Sequence, residues 1–256
     1  MAIDTVFFYT FLLIFVRSTS MFATSPIFNG LGVPVQVRIG LGGVLGLALA
    51  PVLRAHVGAV PTEMLAFIGA IAHEALIGIL LGFLVTLLLS AAEMAGHFLD
   101  MQIGFGMMQL LNPQTQTTTT LLAGFKMNLA IVLFLILNGH HILLTAFAKS
   151  YEMAPGTGMI ALQHLCGSMS LILSQILLLA VQIAAPVGAT LIVADIAMAA
   201  MSRAVPQMPV FIIGAPAKII VGMMSLAVAL PSMAWAISYA ITLNERQIGM
   251  LFKTLR

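Results

Sequence analysis

His73 and Glu74 stand side by side and begin like the zinc-protease sequence H-E-x-x-H, in which two histidines on one helix face hold the metal and the glutamate acts as base. Position 77 is Ile77, so the second histidine is missing and that chemistry is excluded. Glu93, His97 and Asp100 have the i, i+4 and i+7 spacing of one helix face, and their types suit a divalent metal. No second ligand cluster accompanies them, so a polar helix end is the preferred reading and no metal is assigned. Cys166 is the only cysteine and lies in an apolar run, which leaves neither a disulfide nor a cysteine metal site within one chain. G-x-S-x-G is absent as well, and no hydrolase is expected. His140 and His141 follow Gly139 at a helix terminus, the ordinary place for a surface or interface histidine.

The informative polar residues are single charges in apolar surroundings. Glu74 lies in the run Met64 to Ala92, which holds 15 Leu, Ile, Val or Phe residues. These favour insertion by about −7 kcal/mol against a penalty near +3 for the carboxylate, so the segment inserts and Glu74 needs a partner. A hydrogen bond or ion pair holding two helices in register is the expected answer. Asp195 and Arg203 are eight residues apart and project in similar directions near the end of another apolar run. Each is expected to pair with another chain, and Lys218, after Pro216, could face either of them across a hairpin. Gly42 with Gly46, and Gly78 with Gly82, have the G-x-x-x-G spacing of close helix contact, and Ala180, Ala184 and Gly188 repeat small residues at every fourth position.

Composition says what must position these groups. Of 256 residues, 61% are hydrophobic and 7% charged, where a soluble domain carries about 25% charged residues. A soluble monomer is excluded, because a chain of this size cannot hide so much apolar surface within itself. As one helix it would be about 380 Å long, enough with loops for about six crossings of a ~30 Å hydrocarbon layer. The formal charge of +2 is too small for a nucleic-acid footprint.

Thr5 to Val16 is apolar, but Asp4 precedes it without any Lys or Arg, and no signal peptide is read. Pro26, Gly30, Gly32 and Pro34 make a turn-rich link. Ile39 to Leu53 reads as short for a lipid span. Glu93 to Gly124 is expected to be an interior loop, since no helix period persists through its glycines, glutamines, Pro113 and the four threonines 117–120. Within it, Gly104, Phe105, Gly106, Met107, Met108, Gln109, Asn112 and Pro113 suggest a gate, because irregular backbone at membrane depth is tolerated only under protein or beside water. Met127 to Leu137 is a further apolar core ended by Asn138 and Gly139. Leu165 to Met201 and Ile219 to Leu243 form a helical hairpin around a turn at Pro206, Gln207 and Pro209. The tail from Asn244 holds Arg246, Lys253 and Arg256 against Glu245, which favours a cytoplasmic C-terminus. The fold expected is all-α and membrane-embedded, with about six long helices and re-entrant or broken segments.

Taken in order, these signals resemble the FliR-type subunits of the flagellar type III export gate. The resemblance is carried by Phe15-Val16-Arg17, Pro26-Ile27-Phe28, Val33-Pro34, Val37-Arg38-Ile39 and Pro51, then by Glu74, Gly78 and Gly82. Ala95-Gly96, Gln102, Gly104, Pro113, Gly139-His140, Ser150 and Pro155-Gly156 follow. Asp195, Arg203, Pro206-Gln207, Val210-Phe211, Gly214, Pro216 and Lys218 complete it. Two positions depart from the pattern: the family usually has Asp-Pro at Asn112-Pro113 and Asn at Pro209.

The resemblance implies a conduit for unfolded export substrates, built with FliP-like and FliQ-like subunits and an FlhB-like switch protein in the bacterial inner membrane at the flagellar basal body. It implies a FliP-like part (1–164) with a loop plugging the lumen near 104–120, a FliQ-like hairpin (165–243) and a cytoplasmic tail (244–256). No catalysis and no cofactor are expected. Arg17, Arg38, Glu74, Asp195, Arg203 and Lys218 would set the register between subunits, meeting mates on adjoining chains. The homologous injectisome subunit is one alternative. A small secondary transporter using Glu74 is another, although its characteristic paired repeats are not seen.

Overall fold

The computed structural model describes residues 5–29, 33–54, 57, 60–105, 121–153, 162–205 and 210–254. Most of the expected gate segment, from Gly106 through Met107, Met108, Gln109, Asn112 and Pro113, lies outside the described residues, as does the hairpin turn Pro206, Gln207 and Pro209.

Seven α-helices occur among the described residues: α1 (Thr5–Thr24), α2 (Val35–Leu53), α3 (Met64–Ile103), α4 (Leu121–Ile136), α5 (Gly139–Met153), α6 (Leu162–Ala204) and α7 (Val210–Thr254). Five are long and apolar enough to cross a membrane, or six spans if α4 and α5 count as one broken span. The chain is thus an all-α membrane protein.

Helix limits follow local chemistry. Proline restricts the residue before it to extended backbone, and α1 stops at Thr24, just ahead of Ser25 and Pro26. Pro34 itself is extended (φ −58°, ψ 148°) and launches α2 at Val35. Helix α2 therefore has 19 residues and is long enough to span, which corrects the reading of that run as short. Asn138 adopts φ +57° between α4 and α5, as suits a residue that tolerates the left-handed region and ends a helix.

The largest correction concerns 93–103. Helix α3 does not stop at Ala92; it runs 40 residues to Ile103, about 60 Å. Ala91, Ala95, Leu99 and Ile103 are all buried and recur every fourth residue, so the helical stripe does continue. It is hard to see in sequence because Glu93, Gly96, His97 and Asp100 interrupt its hydropathy. The first residue to break the helix is Gly104, at φ +100°.

The helices belong to two compact units. The first comprises 1–88, 138–173 and 242–256. Its core joins Leu13, Ile14 and Met21 of α1 with Ile77, Leu81 and Leu84 of α3 and Phe147 of α5. The second comprises 89–137 and 174–241, with Leu99, Leu122, Phe134, Ile183, Val187, Leu191 and Met233 in its core. Helices α3, α6 and α7 each contribute residues to both units.

Candidate functional site

Two glycine pairs bring three helices of the first unit together. Gly42 of α2 lies against Ser18 and Thr19 of α1, and Gly46 against Phe11 and Phe15. Gly78 of α3 lies against the Arg17 carbonyl and Ser20, and Gly82 against the Met21 carbonyl and Thr24. Any Cβ at Gly78 would overlap the backbone of α1, so only glycine permits this approach. Hydroxyls seal the contact: Ser18 donates to the Gly42 carbonyl at 3.1 Å and Thr86 to the Thr24 carbonyl at 2.8 Å.

That approach places Arg17 opposite Glu74. Arg17 Nε donates to Glu74 Oε2 at 2.5 Å and Nη2 to Oε1 at 2.9 Å, a bidentate pair with both side chains fully buried. Helix α5 completes the cluster. Arg17 Nη1 donates to Ser150 Oγ at 2.6 Å, Ser150 Oγ donates to the Phe147 carbonyl at 2.6 Å, and the Tyr151 hydroxyl donates to Glu74 Oε2 at 3.1 Å. The guanidinium also lies 3.7 Å from the Tyr151 ring centroid, a distance at which cation and ring attract. A charge far from water needs an opposite charge and satisfied donors together, and α1, α3 and α5 supply both. Since the group is sealed, it is suited to tying helices rather than to reacting with a substrate.

The second unit holds another buried polar group, where the end of α3 meets the start of α4. Asp100, fully buried near the end of α3, accepts from the amides of Leu122 (3.2 Å) and Ala123 (3.0 Å) in the first turn of α4. A carboxylate there satisfies two amides without helical partners and meets the positive end of the helix dipole. Gly96 makes room for it, since a Cβ would overlap the Ala123 backbone. Lys126 lies on the buried stripe of α4 with Leu122, Ala130 and Phe134. Its side chain is fully buried, its ammonium has no hydrogen-bond partner, and it feels the charge of Asp100. Of the three residues at metal-ligand spacing, His97 Nε2 lies 3.9 Å from Glu93 and Asp100 caps α4.

In the hairpin, Lys218 Nζ lies 2.8 Å from Asp195 Oδ1. Lys218 thus faces Asp195 within this chain. Arg17 and Glu74 likewise meet each other within this chain. Arg38 bonds to Asn29 and, at 3.1 Å, to the Val33 carbonyl. Arg203 is exposed. Tyr151 and Lys126 were missed in the sequence: the tyrosine had no visible signal, whereas Lys126 did, as a lone cation within the apolar run 121–136.

Three stretches far apart in the chain, around Arg17, Glu74 and Ser150, therefore form one buried cluster. The sequence pattern described as "Bacterial export proteins, family 1" matches residues 8–243. The "Flagellar biosynthetic protein FliR" of Caulobacter vibrioides is 29% identical over 233 residues, which are 90% of this chain and 93% of that protein. That of Bacillus subtilis is 31% identical over 232 residues, 87% and 86% of the two chains. The "Yop proteins translocation protein T" of Yersinia pestis is 30% identical over 190 residues, 72% of each. With the family's pattern spanning nearly its whole length, this chain belongs to the bacterial export proteins, family 1.

Proposed function

We propose that this type III export-apparatus protein is a structural and gating subunit of the flagellar export channel in the bacterial inner membrane. It assembles there with FliP-like and FliQ-like subunits and an FlhB-like switch protein to form the conduit for unfolded substrates. The carrying observation is the family match over residues 8–243. The apolar helix surfaces agree with it, since Val44, Leu47, Leu65, Val193 and Val228 are all exposed and require lipid or partner helices to cover them. In this reading 1–164 is the FliP-like part, 165–243 the FliQ-like hairpin, and the tail from 244 is cytoplasmic. The segment 104–120 closes the lumen, and the chain has no catalytic role. Of the six charges expected to set register, five have partners within this chain, which leaves the exposed Arg203 for a sister subunit.

The flagellar assignment is favoured over the injectisome because the flagellar relatives match more of the chain, 90% and 87% against 72%. Two measurements test the proposal. Mild detergent extraction should co-purify discrete FliP-like and FliQ-like partners, and their absence would count against it. Deleting 106–120 should raise permeability to small ions while assembly survives; a deletion mutant that stays tight and still secretes would remove the gating role.

A further inference from the structure

The chain has four amphipathic aromatic residues, one Trp and three Tyr. Tyr9 and Tyr151 are buried, while Trp235 and Tyr239 are 69% and 48% exposed. They are one turn apart on α7, their rings nearly parallel (7°) with centroids 5.8 Å apart. Such residues gather where hydrocarbon meets headgroups, because their rings prefer the apolar side and their N–H or O–H the wet side. Nine residues after Trp235 the apolar sequence gives way to Asn244, Glu245 and Arg246.

Distances along the hairpin set a matching boundary at the other end. Lys218 and Asp195 form a partly exposed ion pair, which cannot lie at the centre of a bilayer without great cost. Trp235 and Tyr239 follow Lys218 by 17 and 21 residues, or about 26 and 32 Å of helix, against a hydrocarbon thickness of ~30 Å. Helix α6 agrees. Twenty residues back from Asp195, about 30 Å, stands the exposed Gln175, and the stretch between is strongly apolar. Pro186 and Thr190 line one cleft with Met224 and Val228, so the helices run antiparallel. Counting outward from the Asp195–Lys218 pair then brings Gln175 about level with Ser238.

We propose that Trp235 and Tyr239 form a lipid-headgroup contact that sets the depth of the α6–α7 hairpin, with the Asp195–Lys218 pair at the opposite surface. Each helix is longer than the hydrocarbon is thick. The inference rests on the chain lying in a membrane and not on its place in an export channel.

Because Trp235 is the only tryptophan, its depth can be read in the unaltered full-length chain, reconstituted in phosphatidylcholine and phosphatidylglycerol vesicles. Lipids carry a nitroxide either near the headgroup or at the acyl-chain end. The headgroup label should quench the emission at least about twofold more than the chain-end label. The double variant Trp235→Phe, Val228→Trp moves the reporter about 10 Å deeper on the same helix face, and its order of quenching should reverse. Stronger quenching of Trp235 by the chain-end label, no quenching by either label, or the same order for both reporters would overturn the assignment. Partner co-purification would still report separately on the export-channel reading.

Discussion

Arg17 and Glu74, 57 residues apart, meet through two hydrogen bonds of 2.5 and 2.9 Å with neither side chain exposed. The pair is neutral as a whole, and Ser150 and Tyr151 take up further polar capacity around it. A residue with a heavy insertion penalty in each of α1 and α3 thereby becomes the tie between them. Internal pairing is compatible with a subunit of a larger machine, because the surface left for partners is apolar.

Removing one member of this pair should harm the fold more than removing both. Glu74→Ala strands a buried guanidinium and should cost about 3–5 kcal/mol, whereas Arg17→Met with Glu74→Leu should cost much less. Thermal unfolding of the purified chain in mild detergent would show it. Equal losses in single and double variants would mean that the pair is not coupled.

The contact at Gly78 predicts a steep dependence on side-chain size. Gly78→Ala drives a methyl group into the Arg17 carbonyl and should cost about 1–3 kcal/mol as α1 and α3 are pushed apart. Gly69→Ala lies on the same helix with nothing within 4 Å and should be neutral or slightly stabilising. Comparing the two melting temperatures separates crowding from any general effect of alanine.

Asp100 should control the first turn of α4. Asp100→Ala removes the acceptor for the Leu122 and Ala123 amides and should cost about 0.5–2 kcal/mol. Hydrogen exchange at these two amides should accelerate ahead of the rest of α4. Unchanged protection there would show that the cap is not held by this carboxylate.

Lys126 leads to an opposite sign. Its buried ammonium has no hydrogen-bond partner, so Lys126→Met, which keeps the length and removes the charge, should leave stability unchanged or raise it by about 1–4 kcal/mol. A clear drop in melting temperature would show that attraction to Asp100 outweighs the desolvation.

The Asp195–Lys218 pair should matter less to stability. Both side chains keep access to solvent, at 48% and 20%, and such pairs contribute about 0.2–1 kcal/mol. Lys218→Met should therefore move the melting temperature far less than Glu74→Ala, and a comparable loss would place this pair in a drier setting than its exposure indicates.

By itself the sequence determined the class of protein, several helix ends and the need of Glu74 for a partner. Apolar runs of spanning length, proline at 26 and 34 and Asn138 act over a few neighbouring residues, so their effects can be read locally. The helical stripe through Ala95, Leu99 and Ile103 was hidden by polar neighbours, because hydropathy records every side chain whereas burial selects one face. Only the tertiary structure decided who pairs with whom. Attraction between charges depends on separation in space within a poorly polarisable interior, and separation along the chain does not predict it. Arg17 thus meets Glu74 and Tyr151 on helices far away in the chain, Asp100 caps a helix that begins beyond an intervening segment, and Asp195 finds Lys218 within its own hairpin.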